Sequence, residues 1–379
     1  MAATCTREYS VNGPVLYLAF ELSNSTWKLG FTIGPAQRPR ERNISARDLK
    51  ALEWEIEQAK ERFELASDTT VVSCYEAGRD GFWLHRYLDS NDVRNMVVDS
   101  SSIEVNRRKR RAKTDSLDVM KLLSMLIRYC SGEKKVWHVV HVPTIEQEDN
   151  RQLHREMRAL KKERTRHINR IKALLICQGV RTEIGNTFLH ELDGVRLWDG
   201  SRLPEGLHAL LKREYKRMMF VEAQISELEH ERAEAVRSST KPEHKMVRDL
   251  MRLRAIGINS AWMFTMEFFA WRKFRNRKEV GALSGLTPTP SQSGSSYREQ
   301  GIGKSGNRYI RAMAIEIAWG WLRYQPESEL TRWYQERFAQ GGSRMRRIGI
   351  VALARKLLIQ LWRYLETGEI PEGATLKTA

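Results

Sequence analysis

Apolar and polar positions near the start of the chain follow first a strand pattern and then a mixed pattern. The runs VLYLAFELS (15–23) and WKLGFTI (27–33) are rich in strand-forming residues, and the short polar link between them predicts a β-hairpin. A helical stretch at about 46–65 follows, then strand-like TTVVSCYEAG, amphipathic RDGFWLHRYLDS, strand-like VRNMVV, and a helix beginning near Thr114. This order predicts a mixed sheet with helices on its faces.

Two long segments, 145–178 and 205–238, are rich in Glu, Lys, Arg, Leu and Met and contain almost no Gly or Pro, which is typical of long helices. Apolar residues in the second recur at intervals of seven, three, four and three, the seam of a coiled coil. These residues are Leu211, Met218, Val221, Ile225 and Leu228. The turn-rich segment between the two helices predicts an antiparallel pair.

The chain beyond residue 240 has a third pattern. LMRLRAIGINSAWMFTMEF predicts helix, glycine-centred turn and helix, the layout of a helix-hairpin-helix that contacts phosphates through turn amides. The segment 285–307, GLTPTPSQSGSSYREQGIGKSGN, is dense in Gly, Ser, Thr and Pro and taken alone predicts a flexible surface loop. Helices follow to about residue 366.

The predicted fold class is therefore α/β plus all-α, in three domains. Residues 1–144 are expected to form a ribonuclease-H-like domain with a mixed sheet. Residues 145–240 are expected to form antiparallel coiled-coil helices that dimerise. Residues 241–379 are expected to form a mostly helical domain with the helix-hairpin-helix-like element.

Charge indicates the kind of partner. The 379 residues include 64 Lys and Arg against 47 Asp and Glu, a formal net charge of +17, which predicts a polyanionic partner. The 11 Trp and 11 Tyr favour folded domains over a disordered basic tail. The four cysteines are widely spaced and predict neither a zinc site nor disulfides, and no window is apolar enough to span a membrane. We expect a cytoplasmic protein without a membrane partner.

Four carboxylates are candidates for metal ligands. Asp115 and Asp118 lie three residues apart at the start of a predicted helix, so they share a face; the alternative is that they complement the helix dipole, with Thr114 as the cap. Glu21 interrupts an apolar strand and Glu76 ends another, where lone acids are rare. With the first and fourth strands side by side, the four acids would converge on two Mg²⁺ ions roughly 4 Å apart that promote phosphoryl transfer on nucleic acid.

Three groups of cations are candidates for binding phosphates. The alternative for each is a solvated loop or helix face. The first group precedes the aspartate pair and comprises Arg107, Arg108, Lys109, Arg110, Arg111 and Lys113. The other two are Lys304, Arg308 and Arg311, and Arg344, Arg346 and Arg347.

Motifs along nearly the whole chain carry a family resemblance. An acid on the first strand, YEAGRDGFWLHRYL, AKTDSLDVMKL, and ALSGLTPTPSQSG with GKSGNRYIRAMAIEIAW occur in this order. Together they resemble the IS110 family of insertion-sequence transposases. The resemblance implies a RuvC-like DEDD domain, a second domain with a catalytic serine, guidance by a structured bridge RNA, and assembly of dimers into tetramers.

The resemblance also implies roles for individual residues. Glu21 stands where the family has its first Asp, Glu76 matches the Glu of its second motif, and Asp115 and Asp118 match the paired Asp. The Gly-Leu-x-Pro segment that ends in Ser-Gly implies Ser293 as the nucleophile. Its near competitors are Ser291, Ser295 and Ser296. A serine hydroxyl that attacks a phosphodiester would leave a covalent 5′-phosphoserine and a free 3′ hydroxyl.

The sequence thus predicts an RNA-guided DNA transposase or recombinase of a prokaryotic, nucleoid-associated kind, acting on double-stranded donor and target DNA. One alternative is a metal-dependent nuclease or junction resolvase that uses only the acids and water. The other is a non-catalytic nucleic-acid-binding scaffold, which Glu21 in place of Asp favours.

Overall fold

A computed structural model of the protein describes residues 13–104, 114–293 and 296–377; at 291, 293 and 296–300 it describes the backbone alone. The chain divides into two compact units, Met1–Val142 and Pro143–Ala379. The first unit contains the predicted mixed sheet. The second contains both the long helices and the C-terminal helices, so the boundary placed near residue 240 stays a prediction.

The first unit consists of a five-stranded sheet and helices on its two faces. Its strands are β1 (Val15–Leu22), β2 (Thr26–Thr32), β3 (Arg40–Ser45), β4 (Thr70–Glu76) and β5 (Arg94–Val98). Its helices are α1 (Leu49–Arg62), α2 (Trp83–Ser90) and α3 (Asp115–Cys130), with a 3₁₀ turn at Ser100–Ser102.

The strand order is β3-β2-β1-β4-β5; β1 pairs antiparallel with β2 and β2 pairs antiparallel with β3, whereas β4 pairs parallel with both β1 and β5. The hairpin and the mixed sheet are therefore confirmed. Strand β3 was missed because its sequence, RERNIS, is polar and is drawn into the sheet by pairing with β2. The prediction that the first strand lies beside the fourth predicted strand, VRNMVV, is wrong, because β1 pairs with the strand that ends at Glu76.

Alternation along the strands divides the core between the two faces of the sheet. Leu16, Leu18 and Phe20 of β1 are buried in one cluster with residues of α1 and α2. Val15 and Ala19 point to the opposite face, in a cluster with residues of α3. The helix α3 lies so close to β2 that a methyl group at Gly30 would overlap the side chain of Val119.

The second unit is mainly helical. Its helices are α4 (Ile145–Asp149), α5 (Gln152–Ile176), α6 (Phe188–Glu191), α7 (Glu205–Ser238), α8 (Pro242–Arg252), α9 (Ile258–Phe264), α10 (Arg277–Leu283), α11 (Arg308–Tyr324), α12 (Glu329–Tyr334) and α13 (Ser343–Thr367). It also has a 3₁₀ turn at Leu192–Gly194, π-helical turns at Thr265–Phe269 and Gln335–Ala339, and strands β6 (Pro288–Ser293) and β7 (Ser296–Ile302).

The helices α5 and α7 pack antiparallel, as predicted. Two ion pairs join Lys161 to Glu229 at 2.8 Å and Arg164 to Glu222 at 2.8 Å, and a hydrogen bond joins His167 to Glu214 at 2.7 Å. Residue numbers therefore rise along one helix and fall along the other. Four of the five predicted seam residues are buried and Leu228 is half-buried. The first long helix is interrupted between α4 and α5. Dimerisation through this pair stays a prediction.

The C-terminal part of this unit surrounds one large apolar core. The helices α8 and α9 form the predicted helix, turn and helix, and the turn ends at Gly257, the N-cap of α9. Trp262, Phe264 and Trp321 are buried in the core with the inner face of α13. The expectation of a flexible loop at 285–307 is wrong, since β6 and β7 pair antiparallel within it as a hairpin. Backbone pairing between the two arms outweighs the turn-rich composition.

Candidate active site

Glu21 and Glu76 lie at the same edge of the sheet. Phe20 and Tyr75 are register partners in the parallel pair β1–β4, and each glutamate follows directly after one of them. Glu21 lies two residues beyond Ala19 and Glu76 two residues beyond Cys74, so both glutamates project from the same face as these buried residues, the face that α3 covers. Glu21 is half-buried and Glu76 is exposed.

Asp115 and Asp118 belong to the first turns of α3, which crosses this face. Thr114 Oγ1 accepts a hydrogen bond from Leu117 N at 3.3 Å, which begins the helix as predicted. Asp115 is exposed and Asp118 is half-buried. Acids in a first helical turn are stabilised by the dipole wherever they occur, so this position suits both interpretations of the pair.

A polar network ties the start of α3 to the sheet. Ser116 Oγ donates to Glu41 Oε2 on β3 at 2.6 Å, and Lys28 Nζ on β2 lies 3.3 Å from the same oxygen. The hydrogen bond from Ser116, together with the charge of Lys28, lowers the pKa of Glu41. Lys28 is also the register partner of Glu21. Sequence reasoning missed this network; the one available signal was Lys28, a lone cation in an apolar strand.

Glu21 and Glu76 share one face and one edge of the sheet, and the helix of Asp115 and Asp118 packs on that face, but the structure does not gather the four carboxylates around one point. In the described parts of the chain, no three of His, Cys, Asp and Glu are close enough together to hold a metal ion. Carboxylate oxygens are the donors that Mg²⁺ prefers, so the chemistry of the set fits this ion. The cations Arg107, Arg108, Lys109, Arg110, Arg111 and Lys113 lie outside the described residues.

The candidate serine lies on the hairpin of the second unit. Ser293 is the last residue of β6 and the register partner of Ser296, while Ser291 pairs with Arg298 and Ser295 is outside the described residues. Ser291, Ser293 and Ser296 therefore occur at or near the far end of the hairpin. The register of the hairpin does not distinguish which of the candidate serines would be the nucleophile.

The base of this hairpin is held by close backbone contacts. Gly303 N donates to Thr287 O at 2.8 Å, and Asn307 N donates to Leu283 O at 3.0 Å. A methyl group at Gly306 would overlap the carbonyl oxygen of Leu283, so a side chain at this position would separate the two segments. These contacts connect the end of α10 with the start of α11 and orient the hairpin between them.

The side chain of Tyr309 contacts two arginines near the start of α11, of which only Arg308 was predicted from the sequence. Arg308 Nη2 donates to the Tyr309 hydroxyl at 2.5 Å, which lowers the pKa of the phenol. The guanidinium of Arg158 on α5 lies 3.7 Å from the centre of the Tyr309 ring. Lys304 is exposed in the preceding loop. The contribution of Arg158 was missed because it lies about 150 residues away in the sequence.

The last predicted cations occupy the first turns of α13. The side chains of Arg344, Arg346 and Arg347 are all exposed there. Within the described residues, none of the three makes a salt bridge to a carboxylate. They present an accessible positive surface, as a contact to phosphates requires.

The sequence comparisons identify the family. The Transposase IS116/IS110/IS902 family model matches residues 247–332. The chain is 38% identical over 376 residues to the "Putative transposase y4rJ" of Sinorhizobium fredii, and the alignment covers 96% of this chain and 95% of that protein. The chain belongs to the IS116/IS110/IS902 transposase family. The resemblance inferred from its motifs is thereby confirmed at the level of the family.

Two further relatives of this transposase cover less of the chain. The "Transposase for insertion sequence element IS1328" of Yersinia enterocolitica is 25% identical over 236 residues, 62% of this chain and 67% of the relative. The "Probable family 20 transposase" of Pseudomonas aeruginosa is 27% identical over 230 residues, 60% of this chain and 66% of the relative. Membership of the family makes DNA transposition the activity and DNA the partner.

The family match spans the serine hairpin and the helices on either side of it, α8 to α11. The carboxylates of the first unit lie outside that match but within the alignment to the Sinorhizobium protein over 96% of the chain. No helix in residues 13–104, 114–293 or 296–377 is long and apolar enough to cross a membrane.

Proposed function

We propose that this transposase cuts and rejoins DNA with two chemical centres, a carboxylate centre on the first unit and a serine on the second, and that a structured RNA guides it to its target. The observation that carries the proposal is the placement of Glu21 and Glu76 at matching ends of adjacent parallel strands, on the face crossed by the helix of Asp115 and Asp118. Two carboxylates side by side at one edge of the sheet repel each other and destabilise the fold unless cations lie close to them.

Mg²⁺ is the proposed cofactor, and Glu21, Glu76, Asp115 and Asp118 are the side chains that would hold it. When bound, two such ions would offset the charge of the phosphodiester and of the leaving 3′ oxygen. Holding one ion would require these side chains, including those on the first turns of α3, to come closer together, since the described side chains do not meet around one ion. Ser116 and Glu41 tie this turn to β3 and would limit that movement.

Ser293 is the proposed nucleophile. Its Oγ would form a bond to phosphorus while the bond from phosphorus to the 3′ oxygen breaks. The serine proton passes to a carboxylate of the first centre, and the 3′ oxygen takes a proton from water and leaves as a hydroxyl. A covalent 5′-phosphoserine results, and attack by another 3′ hydroxyl reverses the step and joins new strands.

The proposed assembly follows from the division of the two centres between two compact units. The carboxylates and the serine belong to different compact units, and we propose that they come from different subunits in a composite site. The antiparallel pair α5–α7 would join subunits into dimers, which assemble into tetramers on double-stranded donor and target DNA. The protein would act in the cytoplasm, on the nucleoid.

A gel experiment tests the proposal. Wild type, Ser293→Ala and Asp118→Ala are incubated with end-labelled donor DNA, the RNA transcribed beside the gene, and Mg²⁺, and are resolved on a denaturing protein gel. Of these three proteins, we expect only the wild type to carry labelled DNA on the gel. Ser291→Ala and Ser296→Ala serve as matched controls and should keep the adduct.

The same gel separates the two alternatives. A nuclease that uses water would cut the DNA without forming an adduct, and Ser293→Ala would still cut. A binding scaffold would retain the DNA in a native gel and leave it intact with Mg²⁺. A reaction that proceeds equally without RNA would remove RNA guidance from the proposal.

A further inference from the structure

Two arginines from different helices reach the end of α10. A methyl group at Gly281 would lie 2.8 Å from Nε of Arg355, which belongs to α13. A methyl group at Gly285, four residues further on, would overlap Nη1 of Arg311, which belongs to α11. The two glycines therefore leave space that two guanidinium groups occupy, immediately before the serine hairpin begins.

The polar atoms of this cluster lack partners among the described residues. Arg311 Nη1 and Thr287 Oγ1 are buried without a hydrogen bond. A methyl group at Gly281 would lie 3.5 Å from Thr287 Oγ1 as well as 2.8 Å from Arg355 Nε. The threonine hydroxyl and the Arg355 side chain are therefore neighbours. Neither arginine forms a salt bridge with any described carboxylate. A buried donor without an acceptor is destabilising, which favours a site that an acceptor completes.

We propose that Arg311, Arg355 and Thr287 form a pocket for a backbone phosphodiester of nucleic acid at the base of the serine hairpin. The cluster supplies donors and positive charge, and no carboxylate whose side chain the structure describes pairs with it, which suits an anion with several acceptor oxygens. Guanidinium groups bind phosphate through paired N–H donors, and the threonine hydroxyl adds a third donor. Arg355 and Thr287 are new to the site; Arg311 was expected from the sequence to contact nucleic acid.

The position of the pocket defines its role. Thr287 precedes β6, and Ser293 ends that strand six residues later. At roughly 3.3 Å per residue, the two are separated by at most about 20 Å, or roughly six base-pair steps of B-DNA. The pocket is therefore a positioning site that holds the strand at a distance from the serine. This role for the pocket depends on the proposed function in one respect: it assumes that the hairpin with Ser293 is where the DNA strand reacts.

Binding measurements with two kinds of substitution test the pocket. Arg355→Gln removes the charge, and Arg363→Gln removes an exposed charge from the same helix as its control. Gly281→Ala displaces the flexible Arg355 side chain without changing any charge. Gly320→Ala is the matched glycine control, because its methyl group would meet Ala255 Cβ at an ordinary 3.7 Å.

Affinity is measured for the full chain with labelled duplex DNA and, separately, with an RNA hairpin, at several salt concentrations without Mg²⁺. We expect Arg355→Gln to reduce the slope of log K against log salt by about 0.9 with duplex DNA, the loss of one phosphate contact. Gly281→Ala should weaken binding several-fold, and Gly320→Ala should not. A loss confined to one nucleic acid identifies which backbone fills the pocket.

Two results would overturn the pocket. One is an unchanged slope with both nucleic acids in Arg355→Gln, with thermal unfolding showing that the variant is folded. The other is an equal loss in Arg355→Gln and Arg363→Gln, which would reflect net charge alone. Because no cleavage is needed, a reduced slope together with no serine adduct would keep the pocket and reject the serine chemistry.

Discussion

Glu21 and Glu76 occupy matching positions at the carboxyl ends of two adjacent parallel strands, each one residue beyond the register pair Phe20 and Tyr75. Like charges at such positions repel each other unless a cation lies between or beside them. Lys28 is the register partner of Glu21 on its other side, in β2, and so places a cation beside this end of the sheet. A divalent ion would offset the two negative charges more strongly.

Glu76→Gln should abolish the response of the protein to Mg²⁺. The amide cannot offset an ion's charge, so we expect strand cleavage to fall at least 100-fold and Mg²⁺ to stop raising the thermal unfolding midpoint. Calorimetry with and without Mg²⁺ gives the second readout independently of activity. Glu64→Gln, an exposed position at the end of α1, is the control and should behave as wild type. A variant that still responds to Mg²⁺ would remove Glu76 from the metal site.

Glu21 differs from the aspartate that the family resemblance implies, and its substitutions test whether it is a ligand. Glu21→Asp keeps the carboxylate and shortens the side chain by one methylene, so cleavage should stay within about tenfold of wild type; Glu21→Gln should lose at least 100-fold. Cleavage rates at saturating Mg²⁺ make the comparison. Equal activity of the two variants would show that the negative charge at this position is not needed.

Gly30→Ala should destabilise the first unit. The added methyl group would overlap Val119, so α3 or its side chains must shift, at a cost of about 1–3 kcal/mol in the free energy of unfolding. Chemical denaturation measures the change. Gly34→Ala is the matched control, because nothing lies within 4 Å of its methyl position. Val119→Ala combined with Gly30→Ala should recover part of the loss, whereas simple addition of the two costs would contradict the proposed overlap.

His154 should make the second unit acid-sensitive. Burial lowers the pKa of His154 to about 4, and neither ring nitrogen has a hydrogen-bond partner among the described residues. The unfolded chain takes up this proton near pH 6.5, so between pH 6.5 and about 4 it binds more protons than the folded chain. Stability is therefore lost as the pH falls through this range, by up to about 3 kcal/mol for this group.

The substitution His154→Leu isolates that contribution. The difference in unfolding free energy between variant and wild type should grow from pH 7 to pH 4, in favour of the variant. His190→Leu, at an exposed histidine of α6, should leave the pH dependence as in wild type. Parallel curves for His154→Leu and wild type would show that His154 does not stay neutral in the folded protein.

Several features could be read from the sequence because they depend on local periodicity. The opening hairpin, the aspartate pair on one face of α3 and the antiparallel long helices all follow from spacing within one segment. The serine hairpin and β3 could not be read in this way. Both contain polar or turn-rich residues, and their strands form because a partner strand supplies the backbone hydrogen bonds.

The sequence by itself determined the family, the order of most elements and the identity of the four candidate carboxylates. Only the tertiary structure decided that Glu21 and Glu76 end neighbouring strands, that Ser116 and Lys28 meet at Glu41, and that Arg355 and Arg311 pack against Gly281 and Gly285 before the serine hairpin. The reason is physical: spacing along a chain encodes which residues share a face, whereas contacts between distant segments depend on how those faces pack.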